Sequence, residues 1–138
     1  MIKSNIVSKE CADNKDDGIT TEQLVQSPDA WNGTPYERYP AGRPQLTVMR
    51  MTIPAHTSLP LHTHPMPNAA YILSGQLTLE EYETGKTQIF KAGEAFNEAV
   101  GDIHRGYTTE DPVVVIVTYA GVKGMPLSET LSNGSLKD

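Results

Sequence analysis

The stretch His62-Thr63-His64-Pro65-Met66-Pro67-Asn68-Ala69-Ala70-Tyr71-Ile72-Leu73-Ser74-Gly75 decides how this chain reads. Side chains on a β-strand alternate with period two, so His62 and His64 project from one face while Thr63 points away. Pro65 and Pro67 fix φ just after the pair and stiffen it. Two imidazoles hold a metal only if further ligands converge on them, and imidazole suits Zn, Fe, Ni and Cu. The chain has 4 histidines, and His104, after the turn-forming Gly101, is the third candidate ligand. Taken alone, a His-x-His pair is more often two polar residues at a strand end or in a loop than a metal site.

Outward from this stretch the chain reads as short strands. Gln45 to Ile53 carries Thr47, Met49, Met51 and Ile53 on one face and Leu46, Val48, Arg50 and Thr52 on the other. Both faces are partly apolar, which predicts a strand covered on two sides. Ala70 to Leu73 is a short buried strand, and Gln76 to Tyr82 alternates with Leu77 and Leu79 in register. Glu83-Thr84-Gly85-Lys86 is a hairpin turn, after which Thr87 to Phe90 returns. Glu94 to Glu98 and the β-branched run Val113 to Tyr119 complete the set. Short strands with turn signals about every ten residues predict a sandwich or barrel.

The flanks read differently. Residues 1–18 are polar and acidic and are expected to be disordered or loosely attached. Thr20 to Gln26 has a capping-box spacing for one helical turn, with Thr20 and Gln23 as its pair. Ser27 to Pro44 is rich in Pro and Gly, and its Trp31, Tyr36 and Tyr39 are read as a cover for the barrel or a subunit seam. The organisation expected is an N-terminal arm over 1–44, a barrel over 45–121 and an extended tail over 122–138.

Composition narrows the function. A chain of 138 residues is one domain with a modest core. A net charge of −6 argues against nucleic acid or an anionic membrane as partner. No apolar run approaches the ~20 residues that span a bilayer. Met1-Ile2-Lys3-Ser4-Asn5 lacks the apolar core of a signal peptide, and the single Cys11 allows no internal disulfide. A cytoplasmic location is the simplest expectation, and a homodimer is expected because exposed sheet edges invite pairing.

At two further points the sequence resembles the cupins, a superfamily of small β-barrels. Their first motif reads Gly, five residues, His-x-His, three or four residues, Glu, six residues, Gly; here His56, His62, His64, Asn68 and Gly75 stand at those positions. The second reads Gly, five residues, Pro-x-Gly-x-x-His, three residues, Asn; here Gly93, Ala99, Gly101, His104 and Thr108 fill it. The resemblance spans roughly Gln45 to Gly121 and implies an all-β single-domain jelly roll of two antiparallel sheets. It also implies one divalent transition metal, Fe, Zn, Ni or Mn, held by His62, His64 and His104.

Its fourth ligand is open. Asn68 stands where the family has Glu, and a neutral amide leaves the metal's charge uncompensated. Cupins usually place apolar residues at the positions of Phe96 and Glu98, so Glu98 is an acid on a face where a hydrophobe is expected. A buried carboxylate needs a cation or donors, and a metal supplies one; a bulge that leaves Glu98 solvated is the competing reading. His56, at a Gly position, is expected at positive φ rather than as a ligand. Arg105 alternates away from His104, and Tyr71 is a core residue or a proton donor to the site. Glu98, as ligand or general base, and Tyr71 are the catalytic candidates.

The function expected is a metal-dependent enzyme acting on a small organic molecule, of dioxygenase, decarboxylase or isomerase type. A binding or sensing module on the same fold is the alternative, because this fold hosts many chemistries. A catalytic site needs a cavity of the order of 300 Å³ or more beside the metal.

Overall fold

The β-branched run from Val113 forms the central strand that the rest of one sheet is built on. The computed structural model describes residues 18–131, and within them there is no helix. Nine strands form: β1 (Pro44–Ile53), β2 (His62–Thr63), β3 (Asn68–Ser74), β4 (Gln76–Glu81), β5 (Thr87–Lys91), β6 (Ala95–Glu98), β7 (His104–Tyr107), β8 (Val113–Val122) and β9 (Glu129–Thr130). They pair antiparallel into a four-stranded sheet, order β1-β8-β3-β6, and a five-stranded sheet, order β5-β4-β7-β2-β9. The strand pattern predicts a sandwich or barrel, and this is the all-β jelly roll of two antiparallel sheets that the resemblance implies. No helix among the described residues is long and apolar enough to cross a membrane.

The pleat sorts side chains into a core between the sheets. In register across the first sheet, Ile72 faces Val115 and Ala70 faces both Val117 and Phe96. These meet Leu77, Leu79 and Phe90 from the second sheet, and Ile72 and Val113 are wholly buried. Gly75 turns the chain from β3 into β4 at φ 78°, and a Cβ there would strike the Pro112 carbonyl. That steric limit is the physical reason this position takes glycine. His56 adopts φ 53° in the turn after β1.

Three expectations need correction. Thr20 to Gln26 is not helical; the segment is extended and exposed along its length, so it has no buried apolar face to reward a helical turn. The outer face of β1 is bare rather than covered, with Leu46 76% and Val48 67% exposed. The barrel does not stop at residue 121: β8 runs to Val122, Met125 and Leu127 pack on the core, and β9 pairs with β2. Of the two readings of the aromatic segment, Trp31 follows the first and covers its own barrel, its ring edge-on to Phe90 at 6.4 Å. The expectation for residues 1–17 and for 132–138 lies outside the described residues.

Candidate metal centre

β2 and β7 pair through a single directly opposed couple, His62 and His104. Cross-strand partners project from the same face, and His64 lies two residues from His62. The three rings gather with centroids 4.4 to 5.0 Å apart, and one nitrogen from each lies within 4.8 Å of the others. The Gly101 amide donates to the His64 carbonyl at 2.9 Å, so the loop that delivers His104 is tied to the strand end that delivers His64.

The orientation of each ring is fixed from behind. Nδ1 of His62 lies 2.8 Å from the Pro60 carbonyl, Nδ1 of His64 2.9 Å from that of Leu127, and Nδ1 of His104 2.9 Å from that of Asp102. A carbonyl only accepts, so each Nδ1 carries the proton and donates it. Each Nε2 is left as a lone pair. This is the arrangement in which an outer hydrogen bond sets the tautomer of a ligating imidazole. Asp102 is itself held by Asn32 and Thr34, at 2.7 and 3.1 Å from its carboxylate, so the N-terminal segment clasps the His104 loop.

Glu98 completes the cluster. It projects inward beside Phe96's end of β6, buried, with Oε1 3.1 Å from His64 Nε2 and Oε2 3.2 Å from His104 Nε2. The His104 nitrogen nevertheless has no partner in hydrogen-bonding geometry. Lone pairs and a carboxylate that converge without a proton well placed between them are the donor set of a cation. Burial alone would raise the Glu98 pKa, but when His104 and His64 each carry a second proton their hydrogen bonds and charge outweigh it and hold the carboxyl far below its usual range; a cation takes the place of those protons. Burial likewise opposes charge on His104, yet the Glu98 carboxylate raises its pKa; burial lowers that of His62. The residues present therefore fit a divalent ion: three imidazole lone pairs and one anionic oxygen donor.

The other candidates fall as follows. Asn68 is buried directly across from Glu98, and neither atom of its amide has a hydrogen-bond partner among the described residues. Arg105 turns away from the cluster and pairs with Glu80 at 2.8 Å. Tyr71 is corrected: between the inward Ala70 and Ile72 it lies on the outer face, 37% exposed, and cannot serve the site. The phenol that does face inward is Tyr119, in register with Asn68, buried, its ring 5.8 Å from that of His64. Burial, then the Glu98 charge, raises its pKa.

The cavity in front of the cluster has a volume of about 50 Å³. Leu59, Phe96, Val117 and Met51 are among its walls, and Tyr119 is the one hydroxyl in the lining. This falls well short of the room expected for enclosing a substrate.

The sequence profile of the Cupin domain family matches residues 49–119. The chain belongs to the cupins. The fold likeness extends to solved structures: the DMSP lyase DddQ from Ruegeria pomeroyi DSS-3, at 21% identity and TM-score 0.56, covers 62% of this cupin and is itself covered over 42%. The polyketide cyclase RemF from Streptomyces resistomycificus matches at 22% identity and TM-score 0.55, over 66% of this chain and 62% of its own. A cupin-like protein from Thermotoga maritima matches at 16% identity and TM-score 0.54, over 62% and 64%. This cupin thus spans less than two thirds of the length of each. No curated protein matches it in sequence.

Sequence reasoning missed Tyr119, Asn32 and the carbonyls of Pro60, Leu127 and Asp102. Tyr119 lies two residues beyond the apolar run Val113 to Val117, which gives no alternation to read, and a backbone carbonyl leaves no trace in residue type.

Proposed function

We propose that this cupin binds one divalent transition metal through His62, His64, His104 and Glu98, and that it is a metal-dependent enzyme acting on a small organic molecule. The single observation that carries this is the set of three Nδ1–carbonyl hydrogen bonds, which leave three Nε2 lone pairs in one cluster, those of His64 and His104 against a buried carboxylate. Glu98 supplies the anionic oxygen that the family's motif places at the position of Asn68. A bound ion would act as a Lewis acid or, if iron, in redox chemistry. Around it the chain's own residues exclude water with apolar walls and leave Tyr119 as the hydroxyl able to hold or give a proton.

The alternative, a binding or sensing module, is favoured by one observation: the cavity of about 50 Å³ admits a few heavy atoms and no more. On the enzyme reading only the reacting group of the substrate enters, and the remainder lies outside, on the side of the half-buried His62. The test is metal analysis of untagged protein, followed by loading with Fe(II), Mn(II), Ni(II) or Zn(II) and a screen of diketones, thiol acids, phenolic acids and sugars. Turnover with one metal establishes the enzyme. Retention of an unmodified ligand without turnover by any metal establishes the module.

A further inference from the structure

On β4 and β7 the residues that turn away from the metal cluster meet in a second place. Glu80 and Arg105 are directly opposed across the two strands, and Arg105 Nε donates to Glu80 Oε1 at 2.8 Å. Tyr107 lies two residues on from Arg105 and so shares its outer face. Ser58 bridges to Tyr107 from the other side. With His56, these four wall an open groove of about 410 Å³. His56 is the one residue other than glycine with positive φ among the described residues, at 53°. A side chain there costs backbone strain that glycine would not. The groove is rich in donors and short of acceptors for them. Among the described residues neither Nη of Arg105 has a hydrogen-bond partner, and the Tyr107 hydroxyl and the His56 ring have none either. The Ser58 hydroxyl makes one long bond, 3.3 Å to the Leu59 carbonyl.

We propose that this groove binds the terminal oxyanion of a small molecule, a phosphate or carboxylate group, on the Nη fork of Arg105. The Tyr107 hydroxyl, a His56 ring N–H and the Ser58 hydroxyl are the further donors. The planar fork meets either group with two parallel hydrogen bonds. Glu80 holds the guanidinium by Nε alone, which orients the fork in advance and lowers the entropy lost on binding. A cation does not suit the groove, because four of these five side chains can donate and the single carboxylate is engaged by Arg105. The groove and the metal cavity share a wall: Ser58 lines the first and Leu59, the next residue, lines the second. The oxyanion site does not depend on the metal reading.

The test is titration of the full, nitrogen-labelled chain with inorganic phosphate and, separately, with acetate, each against chloride at equal ionic strength. Amide shifts at Ser58, Arg105 and Tyr107 should move and saturate. Saturation at lower phosphate than acetate makes the group a phosphate, and the reverse order makes it a carboxylate. Arg105→Gln should weaken the binding by about tenfold or more, the worth of a charge-assisted hydrogen bond. Tyr107→Phe should weaken it severalfold. His56→Gly should also weaken it, yet leave the protein at least as stable to heat, because glycine accepts φ 53° without strain. Shifts no larger than those chloride gives, or binding indifferent to both Arg105→Gln and His56→Gly, overturn the proposal.

Discussion

Asn68 and Glu98 face each other directly across β3 and β6, one an uncharged amide without a partner and the other a carboxylate seated between two imidazoles. The pairing explains how a metal site can keep its charge balance after losing the acid expected on β3. Directly opposed residues on antiparallel strands put their Cβ atoms about 5 Å apart. An acid moved from one to the other therefore points into nearly the same volume.

The first prediction weighs these two residues. Glu98→Gln should weaken divalent-metal affinity by at least about a hundredfold, the upper end of what removing a mere orienting partner costs. Asn68→Ala should weaken it less. Calorimetric titration of both variants decides the matter. If Asn68→Ala alone weakens binding, the amide is the fourth ligand and Glu98 serves only to orient the histidines.

A second prediction concerns the pleat of β3. Ile72→Ala removes a wholly buried side chain from between the sheets and should cost about 2–5 kcal/mol in denaturant unfolding. Leu73→Ala, 52% exposed on the outer face, should cost under about 1 kcal/mol. Equal costs would mean that β3 packs on both faces, as it would if the outer face were covered in solution.

Legibility in the sequence followed the range of the interactions. β1, β4, β5 and β8 are long or alternate clearly, and their limits differ by a residue or a few from those expected. The strands β2, β7 and β9 are defined by pairing between residues far apart in sequence, such as His62 with His104 and Thr130, so their two to four residues carry no pattern of their own. The three histidines were readable because the motif spacing is local and their residue type is rare in this chain. The choice of phenol was not. Ala69 to Leu73 and Val113 to Val117 are unbroken apolar runs, and only the sheet register shows that Tyr71 faces out and Tyr119 in.

From that register comes a third prediction. If the cupin is an enzyme, Tyr119→Phe should lower kcat by about 10²–10⁴-fold, the usual worth of a positioned proton donor, with metal content unchanged. Tyr71→Phe should leave kcat as it is. Steady-state kinetics with metal analysis of each variant reads this directly. An unaffected Tyr119→Phe would remove the phenol from the chemistry and leave it as a wall of the cavity.

The last prediction tests the tail. The segment after β8 acts on the site twice: β9 flanks β2 and so braces His62, and the Leu127 carbonyl fixes the tautomer of His64. Neither contribution depends on side-chain type, so substitutions at the exposed Glu129 and Thr130 should do little while removal of the segment does much. Ending the chain at Lys123 should lower metal affinity by about 10–100-fold, the range seen when an orienting partner of a ligating histidine is lost. The four-stranded sheet and most of the core lie before that point, so the far-ultraviolet circular dichroism should stay that of a β protein. Histidine nitrogen shifts in the shortened chain should show His64 populating both tautomers while His104, still bonded to the Asp102 carbonyl, keeps one. A truncated protein that folds and binds metal as tightly as the full chain would mean that the rings are oriented by packing alone.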